Sequence, residues 1–390
     1  MRVVYVDNNA TTKVADEVLE AMLPYLKEYY GNPSSAHVFG GQVAKQVDRA
    51  RGQIAALLGA DPLEIIITSC GTESDNAAIM SALQTNPEKR HIVTTRVEHP
   101  AVLNLCTRLS KRGYEVTEIP VDGEGMLDLE EVQEAIREDT AVVSVMYANN
   151  ETGVIFPVEE IGEIVKERGA LFHVDAVQVA GKIPLNMASS TIDMLSISGH
   201  KLHAPKGIGV LYVRRRTRFR PLIVGGHQER GRRGGTENVP YIIGLGAACE
   251  LASRHLDEER VELIRLRTKL ESELLKRIPG SRLNGHPTER LPNTANLSFE
   301  SVEGEAILLM LDRLGICASS GSACTSGSLE PSHVLRAMGV PFTFAHGSVR
   351  LSLSRYNTEE EIDYIVEHLS PIIERLREIS PYWKTQRAAG

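Results

Sequence analysis

The chain has 390 residues, 42% hydrophobic and 24% charged, with a formal net charge of −8. That is room for one large and one small globular domain, and an acidic balance of this size argues against a nucleic-acid partner. No apolar run approaches the roughly 20 residues that cross a bilayer, and Asp7 comes too early for a secretory leader, so no membrane association is expected and the cytoplasm is the expected compartment. Five scattered cysteines (Cys70, Cys106, Cys249, Cys317, Cys324) form no CxxC pair, which fits neither a disulfide framework nor a zinc site.

In chain order, Val18, Leu19, Met22, Leu23 and Leu26 have helical spacing, as do Val43, Val47, Ala50, Ile54 and Leu57. Compact runs of strand composition follow at Ile65–Thr68, 92–95, 116–119, 141–146, 171–174, Met194–Ser198 and 210–213. The first five are mostly separated by helix-length segments, which predicts an α/β layer with a mainly parallel seven-stranded sheet. A helix is expected over 257–278. After it come a strand (Thr294–Phe299), a helix (303–313), a short strand (317–318), a helix, a strand (349–353) and a final helix, opened by a capping box of Thr358 and Glu361. This predicts a large domain over 14–257 and a smaller α+β domain from 1–13 and 258–390. A Ser/Gly-rich loop at about 319–330 contains Cys324.

In a parallel sheet, ligands sit beyond the carboxyl ends of the strands, so the residues just after each strand carry the argument. Asp175 ends one strand. Its commonest role would be a helix cap; its sharper one is a charge partner for a protonated pyridine nitrogen. The next crevice loop is Ser198-Gly199-His200-Lys201. A lysine in so tight and polar a loop can become a Schiff-base nucleophile if its surroundings lower its pKa. Lys206 is its rival, but Pro205-Lys206-Gly207 reads as an outward turn. Ser69–Asn76, between a strand and a helix, offers the Gly, Ser and Thr that hold a phosphate at a helix start. His99-Pro100 and Asn149–Gly153 are further crevice loops. Arg350, between apolar strand residues, offers a planar fork that matches a carboxylate. Cys324 lies among Ser, Gly, Thr and Ala, with no large side chain beside it to bury it, as an accessible thiolate requires. Cys70, Cys106, Cys249 and Cys317 sit in or beside apolar elements and are expected to be buried or inert. The basic run from Arg214 to Arg220 reads as a solvated face.

Taken together, Cys70-Gly71-Thr72-Glu73-Ser74, His99-Pro100, Asp175-Ala176-Val177-Gln178 and Ser198-Gly199-His200-Lys201 resemble the fold-type-I pyridoxal-phosphate enzymes. Adding Ser319-Ser320-Gly321-Ser322-Ala323-Cys324 and Leu329-Glu330-Pro331-Ser332-His333, the chain resembles the cysteine desulfurases from about residue 5 to 383, closest to the NifS branch. The resemblance implies pyridoxal 5'-phosphate, bound covalently by Lys201, which also moves the α-proton. It implies that His99 stacks on the ring and assists proton transfer. Asp175 would face the pyridine nitrogen, Gln178 and Asn150 the phenolic oxygen side, and Thr72, Glu73, Ser198 and His200 the cofactor and phosphate shell. Thr236 would reach the phosphate of the other subunit of a homodimer, and Arg350 would pair with the carboxylate of L-cysteine. Cys324 would take the sulfur as a persulfide and pass it to an iron–sulfur scaffold protein, meeting a scaffold-bound metal cluster only transiently. The resemblance leaves open nitrogenase maturation against general iron–sulfur assembly, and selenocysteine lysis. An aminotransferase would not need Cys324, and an idle sulfur-transfer adaptor would not need Lys201, Asp175 and His99 together.

Overall fold

The computed structural model describes residues 2–320, 330–381 and 383. Cys324 lies outside them. Strand β1 (Val4–Tyr5) comes first, and the seven expected runs then appear as β2 (Ile65–Thr68), β3 (His91–Thr95), β4 (Glu115–Ile119), β5 (Thr140–Met146), β6 (Leu171–Asp175), β7 (Met194–Ser198) and β8 (Gly209–Val213). They form one sheet in the order β2-β8-β7-β6-β5-β3-β4. Only β8 runs against its neighbours β2 and β7; the β7-β6-β5-β3-β4 pairings are all parallel. Both faces are covered. In β8, Val210 and Tyr212 join one apolar cluster while Leu211 and Val213 join another on the opposite face, the period-two alternation of a strand.

The remaining strands are β9 (Ser281–Leu283), β10 (Thr294–Phe299), β11 (Ile316–Cys317) and β12 (Ser348–Ser352). Antiparallel β12-β10-β9 form a second sheet, and β1 pairs in parallel with β11. A separate apolar cluster gathers Val4, Val6, Leu266, Leu297, Leu351 and Leu369. Val334, Leu335 and Met338, from the segment assigned to the small domain, pack instead on the first cluster. The final helix, Glu359–Ile379, opens with the capping box expected at Thr358 and Glu361.

One helix, Val239–Arg277, runs through both cores. It starts 18 residues before the expected 257. At about 1.5 Å per residue its 39 residues span roughly 58 Å. Leu245 and Ala248 pack into the first cluster, and Leu263, Leu266 and Leu270 into the second. Among the described residues no helix is long and apolar enough to cross a membrane.

Candidate functional site

Parallel strands bring their carboxyl ends to one edge, and the candidate residues converge there. Lys201 lies in a short 3-10 turn, Gly199–Lys201, directly after β7. Its Nζ donates to the carbonyl oxygens of Asn9 at 2.5 Å and Ala10 at 2.7 Å. The amine is thus aimed at the N-terminal segment rather than at solvent. Lys206, by contrast, is exposed. His200 meets Thr11 Oγ1 at 3.2 Å, and its carbonyl accepts from the Thr12 N–H and hydroxyl. Burial, with Lys201 and Lys206 nearby, pushes the His200 ring down to about 4, so it is neutral near pH 7.

Asp175 ends β6, buried, with Oδ1 accepting from the Val177 N–H at 2.9 Å. Burial pushes its carboxyl up to about 6, against that hydrogen bond and the Lys201 cation. Asp175 thus caps its own turn. Behind it stands a residue the sequence did not single out. Asp75 is buried, with Oδ1 lacking a hydrogen bond and 3.6 Å from His173 Nε2. Burial first, then the Asp175 charge, holds its proton well above the usual carboxylate range. Like charges this close in a dry site cannot all ionise.

His99 caps the helix Pro100–Ser110, its Nδ1 accepting from the Ala101 N–H at 3.1 Å. That bond fixes the neutral tautomer with its proton on Nε2. Burial, then Lys201 and His333, pushes the ring down to about 4. Glu98, just before it, is fully buried. Its Oε1 accepts from Thr95 Oγ1 and the Met146 N–H, its Oε2 has no hydrogen bond, and burial pushes the carboxyl up to about 8.

The helix Gly71–Thr85 begins at the end of the β2 loop with no side-chain cap, so its first N–H groups face the crevice unclaimed by a cap. A Cβ on Gly71 would stand 2.7 Å from Val177 Cγ2, so only glycine lets this helix start reach the Asp175 loop. Ser198 is buried beside it, 3.6 Å from that Cβ position, with an Oγ that has no hydrogen bond. Thr72 is exposed on the first turn. Glu73 stands on the same first turn. Its carboxylate is held by Arg233 at 2.9 and 3.1 Å and by the Ser69 N–H at 2.8 Å. Burial opposes its charge, but Arg233 and Ser69 outweigh it and keep the carboxyl below the ordinary range. A carboxylate so committed leaves only the Glu73 backbone N–H for an anion. Thr236 is exposed in the segment that Arg233 ties to this helix start, and among the described residues no hydrogen bond joins it to the other candidates.

Arg350 enters from β12, 3% exposed. Its guanidinium donates to Asp7 Oδ1 at 2.9 Å and to the Asn150 carbonyl at 3.1 Å, and its Nε has no hydrogen bond. Its backbone is paired in both directions with Ser319. Asn150 contributes this carbonyl, which also accepts from Asn9. Gln178 is buried, its amide nitrogen donating to the Asn9 carbonyl at 3.0 Å. Segment 7–10 thus joins Lys201, Gln178 and Arg350. No local pattern in this segment announces that its carbonyls hold an amine.

Beyond the 321–329 stretch, Ser332 caps the helix His333–Ala337, and its hydroxyl donates to the buried Glu151 carboxylate, while His333 Nε2 meets the Glu98 carbonyl at 3.0 Å. Cys106 and Cys249 are buried, and burial pushes Cys106 up to about 12 and Cys249 further. Cys70 and Cys317 are only partly buried. Arg214 is also not simply solvated: its guanidinium donates to the carbonyls of Met187, Ser190 and Ile192. Among the described residues no group of three or more His, Cys, Asp or Glu converges as a metal site.

Residues 4–365 match the aminotransferase class-V family. The chain is 65% identical over 382 residues, 98% of its length and 96% of the relative's, to a cysteine desulfurase of Trichormus azollae. It is 58% identical to the cysteine desulfurase NifS of Azotobacter vinelandii, over 97% of this chain and 95% of that one. A solved NifS-like protein superposes with a TM-score of 0.91 at 44% identity, covering 96% of this chain and all of that one. With relatives of this identity over nearly the whole length, the chain belongs to the aminotransferase class-V family, among its cysteine desulfurases.

Proposed function

We propose that the protein uses pyridoxal 5'-phosphate to take sulfur from L-cysteine, holds it as a persulfide on Cys324, and releases L-alanine. The observation that carries this reading is the pairing of Ser319, at the start of the Cys324 loop, with the backbone of Arg350, so that the loop leaves from the residue suited to grip a substrate carboxylate. The residues fit the cofactor. Lys201 offers an amine for its aldehyde, Asp175 a carboxyl for its ring nitrogen, and the uncapped start of Gly71–Thr85 with the orphaned Ser198 Oγ a cradle for its phosphate. When bound, pyridoxal phosphate supplies a ring that accepts the electron pair left at the substrate α-carbon.

Lys201 holds the cofactor and moves the α-proton at its Nζ. Asp175 keeps its charge toward the ring nitrogen, helped by a neighbour, Asp75, that retains its proton. His99 holds or gives a proton at Nε2. Arg350 orients the carboxylate. Cys324 Sγ, as thiolate, forms an S–S bond to the substrate sulfur while the C–S bond breaks, its electrons passing to the carbon side, where protonation completes alanine. Thr72, Glu73 through its backbone, Ser198 and His200 serve the phosphate. Gln178 and Asn150 serve the phenolic side.

The acting species is a homodimer in which Thr236 completes the partner's phosphate cradle. The exposed apolar run Leu222, Ile223 and Val224, hydrogen-bonded to the Thr236 segment through Ile223 and Gly234, supports such an interface. We place the large domain at 14–257 and the small one at 1–13 and 258–390. The sulfur goes to a cytoplasmic iron–sulfur scaffold, in nitrogenase maturation, as the NifS relative suggests. In the cofactor-loaded full chain, Cys324→Ala should still bind L-cysteine, seen as a change in cofactor absorption, but lose alanine and sulfide production. Mass spectrometry of the wild type after L-cysteine should find the added sulfur on the Cys324 peptide. Full turnover in the variant, or added sulfur chiefly on Cys70 or Cys317, the two partly buried cysteines, would refute the persulfide role.

A further inference from the structure

Lys182 follows β6 by seven residues and has no part in the roles above. Its Nζ donates to the Gln178 backbone carbonyl at 2.9 Å and to Gln178 Oε1 at 3.2 Å. Among the described residues no ion pair joins it to a carboxylate. Its charged surroundings are the Lys201 and Arg350 cations, the His200 and His203 rings, and the Glu259–Arg355 pair lining the same small cavity. Burial first, then Lys201 and Arg350, pushes its ammonium down to about 7. A lysine in such a place is not there for its charge.

Its donors have a definite geometric effect. The oxygen and nitrogen ends of a side-chain amide have nearly the same shape, so its orientation follows from its hydrogen-bond partners. The Lys182 ammonium has three N–H donors and no acceptor, so an amide facing it must present its oxygen. The amide nitrogen then points the other way and donates to the Asn9 carbonyl at 3.0 Å. That carbonyl also accepts from Lys201 Nζ at 2.5 Å, so its two lone pairs are taken by the two residues flanking the site. No hydrogen bond to the second N–H of Gln178 is found among the described residues.

We propose that Lys182 is a positioning residue: it locks the Gln178 amide with its nitrogen toward the cofactor site, making Gln178 a hydrogen-bond donor there rather than an acceptor. The proposal rests on the pyridoxal-phosphate reading, in which a ring oxygen that needs a donor lies on that side.

The test uses the full-length protein. Lys182→Met keeps the methylene packing and removes the donor. It should weaken pyridoxal-phosphate affinity roughly two- to tenfold, the worth of one hydrogen bond. It should also shift the absorption maximum of the bound cofactor and the pH midpoint of that absorption. Lys182→Arg should restore both. On a Gln178→Ala background, Lys182→Met should add nothing; an additive loss there would mean that Lys182 acts elsewhere, and would overturn the proposal. Unchanged affinity and absorption in Lys182→Met would also overturn it. Should that variant fail to fold, Gln178→Glu serves instead: it keeps Lys182 paired but leaves only acceptors, and should give the same weakening and spectral shift. Wild-type protein that takes up no pyridoxal phosphate would sink the cofactor reading and this proposal together, whereas a loaded wild type with unaffected variants would sink only the role of Lys182.

Discussion

Replacing Arg350 by lysine keeps the charge and removes the fork. Two of the five N–H donors of Arg350 are committed, to Asp7 at 2.9 Å and to the Asn150 carbonyl at 3.1 Å. Three remain, and Nε–H, buried without a partner, is one of them. A substrate carboxylate can therefore be held by two parallel donors without disturbing either existing bond. Lysine has three donors on one atom. Once Asp7 and Asn150 are served, one is left, and it cannot match a planar carboxylate. The expected loss is one charge-assisted hydrogen bond, about 1.5–3 kcal/mol or roughly 10- to 150-fold. Because the carboxylate is gripped alike before and during reaction, the loss should fall on KM for L-cysteine and leave kcat nearly unchanged. Steady-state alanine formation over a range of L-cysteine concentrations measures both. Cysteamine, which has no carboxylate, should bind the two proteins alike, as judged by the change in cofactor absorption. A KM within about twofold of wild type, or a fall in kcat at constant KM, would refute the assignment.

Asp175→Asn should keep the turn, since an amide oxygen can still accept from Val177, and should retain some cofactor. Turnover of the loaded variant should fall roughly a hundredfold or more, about 3 kcal/mol, because a neutral side chain does not hold a ring nitrogen protonated; near-normal alanine formation would contradict the role. Glu98 carries a pH signature. Its folded-state pKa is raised to about 8 by burial, so between the ordinary carboxylate value and about 8 the folded protein keeps a proton that the unfolded chain releases. Stability conferred below that window is lost as pH rises through it, by at most about 5 kcal/mol. Denaturant midpoints of the cofactor-free chain at about pH 5.5 and about pH 8.5 should therefore differ more in wild type than in Glu98→Gln, and parallel losses would show that Glu98 is ionised in the folded state.

Most of the large-domain sheet could be read from the chain, because strands buried on both faces announce themselves as short apolar runs between turn residues. The first half of helix Val239–Arg277 could not. Gly244 and Gly246 each cost a helix about 1 kcal/mol and blur its periodicity. They are there because a neighbouring helix comes close: a Cβ on Gly246 would lie 2.7 Å from Ala50. Strand β1 was equally hidden, since its partner Ile316 lies more than 300 residues away and two residues carry no pattern. Of the candidate site, the residues that sit in local turns after strands (His99, Asp175, Lys201) could be picked out from the chain. The pairing of Glu73 with Arg233 was hidden because the two are 160 residues apart in sequence. Asp75 and Lys182 were missed because only burial and the tertiary fold give them meaning.

The N-terminal segment shows why the two kinds of information diverge. Asp7 pairs with Arg350 from β12, the Asn9 carbonyl takes both Lys201 and Gln178, and the Asn9 side chain reaches Thr294 at 2.8 Å and the Asn150 carbonyl at 3.1 Å. Each of these bonds spans more than 140 residues of sequence. Their local trace is small: residues 6–12 form no helix, only a turn at 8–10 and an isolated bridge, Asp7 to Ser352. Yet this one short stretch bonds both the amine after β7 and the guanidinium on β12, which belong to different sheets. A turn, closed by the Ala10 N–H on the Asp7 carbonyl, suits such a bridge, because it fixes the Asn9 and Ala10 carbonyls without depending on side-chain rotamers. The relative placement of the Lys201 amine and the Arg350 guanidinium is therefore held by the Asn9 and Ala10 carbonyls at one end and the Asp7 carboxylate at the other, and a side-chain substitution at Ala10 should disturb it less than a one-residue deletion there.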